Sequence, residues 1–67
     1  METEQAEEVT PEALHNDYLY AVLVRNKQEP QHWWSHYLRD ARRAEATREV
    51  ERLNRDGYQV RVLRVPA

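Results

Sequence analysis

The sequence predicts a small α+β domain of ββαβ order, a three-stranded antiparallel sheet (spatial order 2-1-3) with one helix on one face. Three observations carry this. Tyr18–Arg25 is an unbroken aromatic and β-branched run, the composition that favours strands. From Asp40 to Val65 a capped helix, a glycine stop and an alternating strand follow directly on one another. The apolar stripe of that helix, Ala46, Val50 and Leu53, is too thin for a bundle and suits packing on a sheet.

Residues 1–9 are acidic and lack periodicity, so they read as a disordered tail before a single domain at 10–67. Thr10-Pro11-Glu12 has the form of a helix start, with Thr10 as cap and Pro11 at the first position. Asn16-Asp17 ends that turn, and the first strand, Tyr18–Arg25, follows. Residues 26–31 form a polar loop containing Pro30. Trp33–Leu38 fits a strand or a helix. A helix continuous with the next one would carry two apolar faces pointing apart, because Trp34, Leu38 and Ala41 oppose Ala46, Val50 and Leu53. That favours a strand and a break at Asp40, itself a good N-cap. The helix is expected over 41–54. Gly57 suits the left-handed residue after it, and Arg52 and Arg55 complement the dipole in its last turn. Tyr58–Leu63 alternates as the third strand.

A right-handed crossover through the helix places the third strand on the free side of the first. In this reading Ala46, Val50 and Leu53 pack on Leu19, Ala21, Leu23, Val60 and Val62. The other sheet face would carry Tyr18, Tyr20, Val22, Val24, Trp33 and Tyr37, with Arg61 beside them. Such a patch, several hundred Å² on the scale of apolar surface patches, is rarely left wet on a monomer. The acidic tail, a second copy or a different macromolecule could cover it. The second copy could dock through the sheet face or through edge pairing of the third strand.

Composition bounds the function. A chain of 67 residues builds one small core. It has no cysteine, which removes disulfides and thiolate metal sites. No apolar run approaches a membrane span, and the polar, acidic start does not read as a secretory signal, so the expected location is cytoplasmic. The net charge of −2 hides an asymmetry: residues 1–15 hold Glu2, Glu4, Glu7, Glu8 and Glu12, while all ten bases lie between Arg25 and Arg64.

Arg48, Arg52 and Arg55 form a basic ridge opposite the helix stripe, a candidate contact for phosphate or an acidic partner. Glu45–Arg48, Glu49–Arg52 and Glu51–Arg55 are also spaced as solvated stabilising pairs, which is the stronger reading. His32 and His36 are four apart but have no evident third ligand, so no metal is expected. Gly57 is the only glycine, which excludes a phosphate-cradling glycine loop. No catalytic constellation is present, and the sequence points to no enzyme and no cofactor.

The run from Ala44-Glu45-Ala46 through Glu51-Arg52-Leu53-Asn54-Arg55-Asp56-Gly57-Tyr58 to Val62 resembles the helix-to-strand half of SPOR-type peptidoglycan-binding domains. Those domains carry a second such unit and sit on envelope proteins, so their cell-wall activity is not carried over. The overall plan, a tiny charged α+β domain, also resembles small phage-encoded inhibitors such as anti-CRISPR proteins, a likeness of size and style. The sequence therefore points to a non-catalytic, homodimeric protein-binding module, of the kind a phage-type regulator would be. Tyr18, Tyr20, Trp33 and Tyr37 would be its contact residues, with Arg61 at the rim. The alternative is a single-stranded nucleic-acid-binding module using the same aromatics and flanking arginines.

Overall fold

The sheet of this α+β protein is antiparallel and four-stranded, in the order β1-β4-β2-β3. The strands are β1 (Glu7–Val9), β2 (Tyr20–Asn26), β3 (Ser35–Ala41) and β4 (Tyr58–Arg64). One helix, α1 (Arg43–Arg55), joins β3 to β4, and a single 3₁₀ turn, Pro11–Ala13, follows β1. These features come from a computed structural model that describes residues 7–28 and 33–65. The expected loop residues Pro30 and Gln31, His32 of the histidine pair, and Pro66 lie outside the described residues, as do residues 1–6 of the expected tail.

The three expected strands do occupy the order 2-1-3, but a fourth strand flanks them. Glu7–Val9, expected to be disordered, pairs antiparallel with β4, matching Glu7 to Arg64 and Val9 to Val62. Isolated, so short a strand has nothing to bury. Here Val9 packs against the core edge, and Glu7 and Glu8 each meet an arginine. Edge pairing of the expected third strand is thus blocked along Val62–Arg64.

The larger correction concerns which face the helix covers. In the β2–β4 register Val22 lies opposite Val62 and Val24 opposite Val60. The valines of β4 therefore share a face with the even-numbered residues of β2, not with Leu19, Ala21 and Leu23. A one-residue change of register moves every side chain to the other face. Helix residues Ala46, Val50 and Leu53 accordingly bury Tyr20, Val22, Ala41, Val62 and Leu14, and Ala21 and Leu23 look out from the opposite side. Tyr20 is only 1% exposed. Its hydroxyl accepts a hydrogen bond from the backbone N–H of His15 at 2.7 Å, which satisfies the polar tip at the core boundary.

Strand β3 reaches this core through two irregularities. Its pairing with β2 runs Tyr20–Ala41, Val22–Leu38, Leu23–His36, with an extra β3 residue in each step. Each bulge reverses the alternation once. The first lets Ala41 and Leu38 both face the helix. The second turns His36 and Trp34 to the other side, away from Leu38. Asp40 occupies the first bulge with φ 54°, a left-handed conformation that Asp tolerates better than most residues. It is not the helix N-cap: Arg42 is, with no side-chain capping bond. At the other end Gly57, φ 96°, follows the helix as expected, its N–H bonded to the Asn54 carbonyl.

Candidate functional site

Over the described residues the second face of the sheet has no layer above it. Its side chains come from the odd positions of β2 and β4: Ala21, Leu23 and Arg25 opposite Leu63, Arg61 and Gln59. Trp34 enters from the residue just before β3. The Arg25 guanidinium carbon lies 4.5 Å from the centroid of the Trp34 ring, and that of Arg61 lies 5.3 Å from it. Arg25 also donates through Nε to Gln59 Oε1 at 2.9 Å. Arg61 donates to Glu8 Oε1 at 2.8 Å across the β1–β4 boundary. That bond holds the Glu8 carboxyl below its usual range and raises the Arg61 guanidinium above its own. The face is thus an indole stacked under two arginines, beside the small apolar strip Ala21, Leu23 and Leu63.

The residues expected to form one aromatic surface are dispersed. Tyr20 is in the core and cannot touch a partner. Tyr37 stands beside the helix, where Arg52 lies 5.7 Å from its ring and Arg52 Nη2 donates to its hydroxyl. Tyr18 packs edge-on against His15, with Arg64 4.7 Å from its ring. Trp33 projects into solvent, 90% exposed. Of the expected set only Arg61 lies on the helix-free face, and Trp34, Arg25 and Glu8 join it there. The expected set missed those three because their convergence depends on register and on the bulge at Tyr37.

Along the helix, Arg52 is engaged rather than free: it bonds Glu49 at 2.7 Å and lies 3.7 Å from Asp56. Its bond lowers the Glu49 carboxyl, helped by Tyr37 and Arg48. Arg48 approaches Glu49 at 3.9 Å, not Glu45. Arg55 is exposed in the last turn. Arg52, so neutralised by Glu49 and Asp56, offers little net field to a phosphate. The groove between the 3₁₀ turn and the helix is lined by Pro11, Glu12, Arg43, Thr47, Val50, Glu51 and Asn54. Its lining mixes acids and bases with the Thr47 hydroxyl.

Among the described residues no group of three or more His, Asp or Glu side chains could hold a metal, and no helix is long and apolar enough to cross a membrane. Comparison with known protein families, curated proteins and solved structures found no match.

Proposed function

We propose that the chain is a non-catalytic protein-binding module that self-associates through the helix-free face of its sheet. The observation that carries this reading is the Trp34–Arg25–Arg61 stack on a face with no layer above it among the described residues. Trp and Arg are the side chains most often found at the energetic centre of protein interfaces. Arginines already stacked and hydrogen-bonded lose little freedom when a partner arrives.

The charge pattern of the face fits a second copy. Glu8 lies beside Leu63 on the outer strand, and Arg25 opposes Gln59 nearer the other end. A twofold axis between two facing copies can lay the Glu8 of each over the Arg25 of the other. Base stacking is less well served, because guanidinium groups already lie over Trp34 and Glu8 occupies Arg61.

Sedimentation equilibrium tests the reading. The wild-type chain should dimerise, and Trp34→Ala or Arg25→Glu should weaken the dimer by about tenfold or more, the scale of one lost interface anchor. A wild-type chain that stays monomeric at every concentration would defeat self-association. Tight binding of a single-stranded oligonucleotide, falling steeply with salt, would favour the nucleic-acid alternative.

A further inference from the structure

The outer edge of β4 is only partly used. The Val65 N–H donates to the Leu19 carbonyl at 2.9 Å, in phase with the Tyr20–Arg64 register. This fixes the ladder: odd β4 positions turn their backbone groups toward β2, and even positions turn theirs outward, toward β1. Arg64 and Val62 meet Glu7 and Val9 there. The next outward position, Val60, would meet residue 11 of the continuing strand. Residue 11 is proline, which has no N–H, and it already begins the 3₁₀ turn. The ladder stops, and Val60 and Tyr58 face outward with no strand beside them among the described residues.

The occupant of the other half is weakly built. Strand β1 is three residues long, and both of its glutamates are exposed. It packs chiefly against β4. Its side-chain anchors are two surface ion pairs, Glu8–Arg61 at 2.8 Å and Glu7–Arg64 at 3.0 Å, of a kind that contributes little in water. What it does supply is a template: an acidic extended segment running antiparallel to β4, one carboxylate to each flanking arginine.

We infer that the outer edge of β4 is a strand-addition site for an acidic extended segment of a partner protein, which takes the place of β1. This deepens the protein-binding reading but uses a different surface, since it does not need Trp34. A partner without proline at the position of Pro11 could match both glutamates and continue along Val60 and Tyr58. It would gain ladder hydrogen bonds that β1 cannot make. Against it stands tethering, which gives β1 a high effective concentration. The site is therefore self-shielded, and a partner must out-bond its own chain to enter. The shield also blunts an edge that would otherwise invite unselective pairing.

The test uses the 67-residue chain and a labelled peptide, Gln-Ala-Glu-Glu-Val-Thr-Val-Thr-Val, which copies residues 5–10 and carries Val-Thr-Val in place of Pro11-Glu12-Ala13. Fluorescence anisotropy should show weak binding to the wild type. Binding should be at least about tenfold tighter to Glu7→Lys/Glu8→Lys, in which the tethered strand is repelled by Arg61 and Arg64. A peptide with proline restored should lose most of that gain. Arg61→Ala/Arg64→Ala should lose the peptide, while Trp34→Ala should keep it, so the fate of this site is separable from that of the sheet face. Hydrogen exchange supplies a readout that survives a marginal variant: bound peptide should protect the amides of Val60 and Tyr58. Equal or absent binding to wild type and Glu7→Lys/Glu8→Lys would overturn the proposal, as would binding without that protection. Intermolecular exchange of β1 in preference to the peptide would assign the edge to a second copy instead.

Discussion

The two faces of this sheet use arginine and aromatic chemistry in opposite ways. Under the helix, Tyr20, Val22 and Val62 are sealed, and the one polar tip finds a backbone donor. On the other face Trp34 is only half-buried, and its cover is arginine. The aliphatic stems of Arg25 and Arg61 shelter apolar surface while their charged heads stay wet. The first face holds the buried core, the second is the one proposed for recognition, and neighbouring residues of one strand serve each. Val22 and Leu23 are adjacent in sequence, yet Val22 is 0% exposed and Leu23 half-buried beside Arg61.

That adjacency gives the largest expected difference. Val22→Asp buries an unpaired charge and should cost at least about 3–5 kcal/mol. A domain of this size holds about 3–5 kcal/mol without staples, so the variant should be unfolded by circular dichroism at room temperature. Leu23→Asp places the same carboxylate within reach of Arg61 on the open face. It should stay folded and lose about 1–2 kcal/mol. Equal damage from both would mean that the faces are not distinct.

The two tryptophans sharpen the comparison on a smaller scale. Trp34→Ala removes the ring beneath Arg25 and Arg61 and should cost about 1–2 kcal/mol in thermal unfolding, as well as the association described above. Trp33→Ala, at a side chain 90% exposed, should stay within about 0.5 kcal/mol. If the two costs are alike, the stack contributes nothing to the fold.

The contrast between faces was only half legible in the sequence. The helix stripe, its glycine stop and the long apolar strand could all be read from periodicity, because each is a local pattern. Which face of β2 the helix takes could not, because both faces are apolar and the choice rests on the β2–β4 register, a property of two distant segments. The bulges of β3 were hidden for a related reason. Asp40 looks equally apt as a helix cap and as a left-handed bulge residue, and only the pairing of Tyr20 with Ala41 decides between them. Strand β1 was invisible because three acidic-to-aliphatic residues acquire strand character only from the edge and the arginines they meet.

Backbone conformation offers a finer test at the two positive-φ sites. Around Gly57 nothing lies within 4 Å of an added Cβ, so Gly57→Ala isolates the left-handed penalty, about 1–2 kcal/mol. Asp40→Gly relieves a milder version of it at φ 54° and adds chain entropy in the unfolded state, so the change in melting should be within about 0.5 kcal/mol. A large loss at Asp40 would mean that its carboxylate, not its backbone, holds the bulge.

The smallest effect is also the most selective between the faces, because each carries one depressed carboxyl. Glu8, held down first by its hydrogen bond from Arg61, fastens β1 to β4 on the open side. Glu49, held down first by Arg52, fastens the helix to Tyr37 on the other. Both folded-state values lie below the ordinary 4.5. Their stabilisation is therefore fully present above that pH and disappears as pH falls through the lowered values. Above pH 4.5 neither pair should make stability depend on pH. Below it, Glu8→Gln and Glu49→Gln should each flatten the acid limb of the melting curve, and high salt should do the same to the wild type. Hydrogen exchange then separates the faces. Acid should free the amide of Val62, whose outward partner is Val9, before it frees the β4 amides that face β2, since β1 has little else to hold it. Simultaneous release would mean that β1 is part of the cooperative core, and the displacement inferred for the β4 edge would then require global unfolding.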